Sequence, residues 1–411
     1  MAIVKPFKAV RPTRDKANLV VSRSYHVYTS KELEARLAYN PYSFLHILNP
    51  GYKYQQEISG EKRFKMVRNR YDEFKDEKFF ITETQPAFYL YKKVTRDHTF
   101  YGIVGATSVE DYKNNVIKKH EDTIAHKEVL FKEYLKTVGF NAEPVLLTYQ
   151  DNDTLENLYK EIMSIRPEYE FSTTDKVSHY LWYIHDEEKI KTIQEEFAKM
   201  SELYIADGHH RSASSYRLAE DYKNENAKHT GEEDYNFCMS FLIPESNLKI
   251  FEFYRLIKDL NGISKEDFLL QLDEVFRIEN RGVQQYKPSK KHHFSMYLDG
   301  EFYSLYLRKS LYDFKNALDE LDAQILYNLV LKPLLGIDDL RNNERIDYFP
   351  GTKDAIALKE KMENEEFVMA FGMVPINIQE MKNIANEGLK MPPKSTYIEP
   401  KLRSGLTIYE F

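Results

Sequence analysis

The chain has 411 residues, 42% of them hydrophobic and 30% charged, with 15 Gly and 15 Pro; that balance excludes a disordered, collagen-like or low-complexity polypeptide and leaves room for two or three folding units. Lys plus Arg number 58 against 65 Asp plus Glu, a net charge of −7, which is the wrong sign for a protein whose main work is to coat a phosphate backbone. The single cysteine, Cys238, forms neither an intrachain disulfide nor a thiolate metal cluster and fits a cytoplasmic setting. Met1–Pro12 lacks the apolar stretch of a secretory signal, and nowhere do about 18 apolar residues run together.

Phe7 to Pro12 and Asn18 to Tyr28 read as extended segments. A helix then opens at Ser30, taken as its N-cap, and runs through Leu37. Asn40-Pro41 and Asn49-Pro50 interrupt the chain, because a residue before proline is pushed away from helix. Ala87–Val94 and Phe100–Ala106 are strands joined as a hairpin through the charged residues between them. From Ser108 the apolar spacing turns helical through Val109, Tyr112, Val116 and Ile117. A second helix carrying Ile124, Leu130, Phe131 and Leu135 stops near Gly139. Pro144–Tyr149 reads as a buried strand and Glu187–Met200 as an amphipathic helix. Leu203–Ala206 is a short strand entering Asp207-Gly208 and then a helix from Ser212 to Tyr222. Further on come a strand at Phe237–Leu242, a helix at Ser264–Phe276, and a hairpin of Phe294–Leu298 and Phe302–Leu307 turning at Asp299-Gly300. A helix over Tyr312–Leu331, another helix, a strand at Phe367–Phe371 and a tail of turns complete a mixed α/β pattern. The pattern divides into a β-rich segment (1–106), a core with an insertion (107–262) and an α+β module (263–411).

Asp207-Gly208-His209-His210-Arg211-Ser212 places a strand end, a residue tolerant of positive φ and a helix start in succession. The unpaired N–H groups and positive dipole end of a helix hold anions. Arg211 adds a bidentate phosphate grip, and Asp207 can hold a Mg²⁺ ion or orient a hydroxyl. Gly208, His209, His210, Arg211 and Ser212 are therefore the phosphate candidates, ahead of a capped turn with a surface His pair. Lys118 to Thr123, with His126, falls short of the His-Glu-x-x-His zinc helix because Ile124 occupies the second His position. Glu121 is left as a general base with His120 beside it, set against a solvated, charge-alternating helix start. In the Met391–Leu406 tail, Lys394, Ser395, Thr396 and Lys401 either complete an anion pocket or strap the surface, with Arg11 a further cation for substrate. Arg341 and Arg345 read as solvated loop charge. No phosphate loop, dinucleotide fingerprint or serine-hydrolase elbow is present in the sequence.

These residues resemble the bacterial domain-of-unknown-function family 1015. The match runs through Phe7 with Arg11-Pro12, Asn40-Pro41 to His46, Tyr101-Gly102 with Gly105-Ala106, His120 to Thr123, Asp207 to Arg211 and the Met391–Leu406 tail. The chain departs at Ser24 to Tyr28, where His26 stands in place of the family's Asp. More distantly, the order of Glu121, helix, Gly139, strand and Asp-Gly-His-His-Arg turn is similar to the ParB/sulfiredoxin-like nucleotide-binding core of free-serine kinases. That resemblance implies ATP or ADP with Mg²⁺ at Asp207, Glu121 as hydroxyl base, and phosphoryl transfer involving serine, O-phosphoserine or a similar small hydroxy amino acid. A nucleotide-binding ParB-like regulator without turnover and a hydrolase with metal held by His120, His209 and His210 are the alternatives. A sulfiredoxin would need a cysteine in the turn, and no helix-turn-helix pattern for nucleic acid is present.

Overall fold

In the computed structural model, which describes residues 1–352 and 355–411 apart from the side chains of His26, Ala355 and Ile356, the two aromatic runs before residue 107 form an antiparallel hairpin. Strand β1 (Phe88–Val94) pairs with β2 (Thr99–Ser108) from Tyr89↔Val104 to Val94↔Thr99. The role of His26 in place of the family's Asp thus falls outside the described residues. Contacts divide the chain into two compact units, one of residues 1–119, 123–248 and 400–411, the other of residues 120–122 and 249–399.

In the first unit the hairpin is joined by helix α1 (Ala125–Val138), strands β3 (Val145–Tyr149), β4 (Tyr169–Ser172), β5 (Ser178–Ile184) and β6 (Leu203–Asp207), helix α2 (His209–Glu225) and strand β7 (Phe237–Pro244). Starting from the short strand Ile117–Lys118, the sheet runs β6-β3-β7-β2-β1-β5-β4, with Val4–Lys5 added alongside β2. It is a mixed sheet: β7 is parallel to β3 and antiparallel to β2. The central strands are apolar on both faces, as strands covered on two sides must be, and β3 and β7 are buried at every position. β1 and β2 therefore share one sheet with β3, β6 and β7 across the sequence division expected at residue 106.

Three ion pairs hold α2 against α1 in parallel register: Arg217–Glu128, Lys132–Asp221 at 2.6 Å and Lys136–Glu225 at 2.8 Å. Each helix supplies its three charges at i, i+4 spacing, so one face of α1 reads one face of α2. The partly exposed Lys132 and Lys136 pairs are each worth only about 0.5 kcal/mol, but with the buried Glu128 carboxylate they fix the axial position of α2 and hence of its first turn.

The second unit is built on an antiparallel sheet. Its elements are β8 (Phe253–Ile257), helix α3 (Lys265–Val275), β9 (Phe276–Gly282), β10 (His293–Leu298), β11 (Glu301–Leu307), β12 (Ile346–Pro350) and β13 (Met369–Met373). The order is β9-β11-β10-β13-β8-β12. The Asp299-Gly300 turn has φ of 50° and 84°, the double positive φ that makes Asp-Gly a hairpin signal. Phe268 and Leu272 of α3 pack with Phe276, Phe294, Met296 and Phe371 in its core.

Several local expectations are corrected. Asn18–Tyr28 is not extended but contains a helical turn at Ala17–Val20 and a 3₁₀ turn at Tyr25–Val27. Thr29, not Ser30, caps the next helix through a capping box with Glu32. The helix expected from Ser108 through Ile117 ends at Lys113, and Ile117 instead joins the sheet beside Leu203. The helix expected over Tyr312–Leu331 begins only at Asp322 and continues as a π-turn from Tyr327 to Leu331. A helix at Ile378–Asn386, held by an Asn377–Glu380 capping box, occupies part of the expected tail of turns. Among the described residues no helix is long and apolar enough to cross a membrane.

Candidate functional site

Strand β6 is buried from Leu203 to Ala206 and delivers Asp207 at its end. Gly208 follows with φ 105° and stands at the N-cap of α2. A Cβ at this position would lie 2.8 Å from both Nε and Nη2 of Arg211. Glycine is thus required by the sign of φ and because the guanidinium folds back over the turn. The helix begins at His209, earlier than the sequence pattern indicates, so His209, His210, Arg211 and Ser212 form its first turn. His209 is 4% and Ser212 7% exposed, and His210 is half-buried. Ser214 Oγ donates to the carbonyls of His210 (2.7 Å) and Glu128 (3.1 Å), fastening this turn to α1.

Arg211 donates from Nη2 to Asp207 at 2.6 Å and from Nη1 to Glu143 at 3.1 Å. The Lys401 ammonium lies 3.6 Å from the other Asp207 oxygen. Glu143 accepts from Ser404 Oγ at 2.6 Å and from Ser24 Oγ at 3.4 Å. Burial pushes the Asp207 carboxyl up, yet the Arg211 and Lys401 charges outweigh it and hold that carboxyl below the ordinary carboxylate range. Two cations and two carboxylates therefore balance beside the start of a helix. Glu143 has no sequence signal pointing to it, because its partner Arg211 lies on another element and the pairing exists only in the fold. Lys401 and Ser404 arrive because residues 400–411 return to the first unit. There Ser404 and Ser22 exchange backbone hydrogen bonds of 2.9 and 3.2 Å, and Gly405 passes so close to Phe44 that a Cβ would approach it to 2.6 Å.

Arg11, in the same unit, is 7% exposed. It pairs with Glu83, contacts Glu168 at 3.0 Å and donates to the Tyr169 hydroxyl at 2.6 Å. This guanidinium is committed to joining the N-terminal strand to β4. Arg11→Ala is expected to lower the unfolding free energy by about 2 kcal/mol, because it removes a buried guanidinium and leaves the partly buried Glu83 and Glu168 carboxylates without compensation. Nucleotide affinity should stay unchanged. Urea unfolding together with a nucleotide titration checks both expectations.

His120, Glu121 and Asp122 belong to the second unit. There the Met391 N–H donates to the His120 carbonyl at 2.9 Å, so residues far apart in sequence meet at the start of the Met391–Tyr397 segment. His120 is 2% exposed and Glu121 half-buried. Burial pushes the Lys390 ammonium below its ordinary range, with Asp122 opposing the shift. Lys394 is exposed with φ 56° and its ammonium stands 5.5 Å from the Phe253 ring centre. Ser395 Oγ donates to the Pro392 carbonyl at 2.7 Å, and Thr396 is half-buried. The buried Arg255 guanidinium, pushed down to about 10 by desolvation, donates to the Phe253 carbonyl at 2.7 Å and the Lys394 carbonyl at 3.4 Å. It anchors this segment from below. Arg345 is bound to Asp259 at 2.5 Å, in keeping with an ordinary surface charge.

Among the described residues no three His, Cys, Asp or Glu side chains converge as a metal-ligand set. A His-ligated centre built from His120, His209 and His210 has no geometric support. Mg²⁺ commonly takes only one or two protein carboxylates and completes its shell with water and substrate phosphates; the Asp207 carboxylate faces Arg211 with one oxygen and Lys401 with the other.

The structure is a mixed α/β fold with a glycine strand-to-helix turn, an arginine folded over that turn, and two carboxylates paired with the arginine. The chain belongs to the family described as "Protein of unknown function (DUF1015)", which it matches over residues 4–324. Among solved structures it is similar to a free serine kinase mutant in complex with AMP, at 12% identity and a TM-score of 0.36, covering 73% of this chain and 90% of that one. A free serine kinase mutant in complex with ADP gives 13% identity and a TM-score of 0.36 with the same coverage, 73% and 90%. C-terminally truncated SbnI from Staphylococcus aureus gives 11% identity and a TM-score of 0.39, covering 74% of this chain and 85% of that one. No curated protein matches the chain.

Proposed function

We propose that this protein transfers a phosphoryl group between a nucleotide, ATP or ADP, and a small hydroxy amino acid, serine or O-phosphoserine being the first to test. The observation that carries the reading is the turn itself. Gly208 has φ 105° ahead of a 17-residue helix, its Cα lies under the Arg211 guanidinium, and Lys401 stands beside Asp207. Phosphoryl transfer asks a protein mainly for positioning and charge neutralisation. In this reading Gly208, His209, His210, Arg211 and Ser212 hold phosphate oxygens. Asp207 would hold Mg²⁺, which when bound supplies neutralising charge to the phosphates. Glu121, with His120 next to it, takes the proton from the substrate hydroxyl as the new O–P bond forms and the bond to the terminal phosphoryl group breaks, so that ADP leaves from ATP or AMP from ADP. In the reverse direction it returns that proton. Lys394, Ser395, Thr396 and Lys401 serve the amino-acid side.

Arg211 is already paired with Asp207 and Glu143, so an arriving phosphate competes with carboxylates rather than with water alone. That competition favours a highly charged ligand, a nucleotide di- or triphosphate, over a single phosphate. A thermal-shift screen of ATP and ADP crossed with serine and phosphoserine tests the reading. A ligand at about 100 times its Kd adds about 2.7 kcal/mol to the native state. The expected result is a rise with nucleotide, a further rise with serine or phosphoserine, and interconversion of the two amino acids in a product assay. Stabilisation by nucleotide without conversion selects the regulator reading, and salt-dependent duplex binding would point it towards nucleic acid. No stabilisation by any nucleotide defeats both.

A further inference from the structure

A cleft of about 380 Å³ on the first unit lies beside β4, the terminal strand of the large sheet. Tyr169 and Phe171 line it, with Arg14, Asn18, Arg166 and Glu170 also contributing. Both arginines are exposed, and among the described residues neither has a hydrogen-bond, ion-pair or ring partner. Arg11, Arg211, Arg217, Arg345 and Arg403 pair with carboxylates, whereas Arg14 and Arg166 both line this one cleft without such a partner. Two like charges at one concavity raise each other's energy, and an anion seated between them relieves it.

The aromatic residues of the cleft are held in place before any ligand arrives. Tyr169 is 1% exposed and accepts from Arg11 at 2.6 Å; its hydroxyl also donates to the Pro12 carbonyl. Phe171 stacks on the buried His179 at 5.1 Å between ring centres. His179 is fixed in turn by the Tyr91 hydroxyl at 2.6 Å from Nδ1. Arrangement in advance lowers the ordering cost of binding.

The geometry points to an accessory site for a small phosphate monoester: the phosphate gripped by Arg14 and Arg166, a flat or apolar body against Phe171, and a polar substituent within reach of the Asn18 amide. A dianionic phosphate matches two guanidinium forks better than a carboxylate does. Glu170 acts against it from the same cleft.

Calorimetric titration of the full chain with phenyl phosphate and with benzoate tests the assignment. Phenyl phosphate is expected to bind. Arg14→Gln and Arg166→Gln should each weaken it by about tenfold, and Glu170→Gln should tighten it by about threefold. All three side chains are exposed, so the thermal midpoint should hardly move. Equal or tighter binding of benzoate overturns the phosphate assignment. Undiminished binding in the Arg14→Gln, Arg166→Gln double variant overturns the site. Arg211→Gln separates this cleft from the Asp207 turn: retained phenyl phosphate binding there supports the cleft, whereas loss there with retention in the double variant places the anion at the turn and rejects it.

Discussion

Arg211→Gln is expected to reduce nucleotide affinity by about 30- to 100-fold, because it removes a bidentate, charge-assisted grip worth about 2 to 3 kcal/mol. It also leaves Asp207 and Glu143 facing each other with only Lys401 to compensate. The Arg211 and Glu143 side chains are 26% and 27% exposed and that of Asp207 38%, so water screens part of the loss. A fall in folding stability of about 1 kcal/mol is expected rather than the larger cost of a dry site. The pH dependence has a definite sign. The Asp207 carboxyl is held below its ordinary range, so its contribution is complete above the unfolded-state value of about 4 and disappears as pH falls through the folded-state pKa. Arg211→Gln raises that folded-state pKa, and the difference in stability between the two proteins should shrink on acidification. Urea unfolding across the acid limb, with a nucleotide titration near neutrality, measures both effects. Nucleotide binding that survives the substitution intact would remove the turn from the proposal.

Glu121→Gln is expected to lower kcat by about 10² to 10⁴, the usual worth of a general base, with nucleotide affinity changed by less than about twofold. Glutamine keeps the shape and one acceptor oxygen but cannot take the hydroxyl proton at neutral pH. Because Glu121 and the Asp207 turn belong to different compact units, separate losses in kcat and in nucleotide binding are the signature that distinguishes their roles. Turnover within a few-fold of the parent chain would show that the proton leaves by another route.

Some local structure could be read from adjacent residues alone. Asp207 to Ser212 is a contiguous run, and the strand end, positive-φ glycine and helix start it implies depend on local sterics. The same holds for the hairpin at Asp299-Gly300 and for Gly139, which ends α1 with φ 70°. Local pattern failed where burial decided the outcome. Val109 to Ile117 carries helical spacing, yet Ile117 gains more by covering the sheet edge beside Leu203. The partners of Arg11, Glu83 and Glu168, are distant in sequence, so its ion pairs could not be read from its neighbours.

By itself the sequence determined the mixed α/β character, the acidic balance and the strand-to-helix turn, since each follows from composition or from neighbours along the chain. Only the tertiary structure decided that Arg211 is met by Glu143, that Lys401 reaches Asp207 while Lys394 stays with the other unit, and that His120 meets Met391. Those pairings need loop closure over long stretches of chain. Their free energy comes from the packing of whole elements, which no window of neighbouring residues contains.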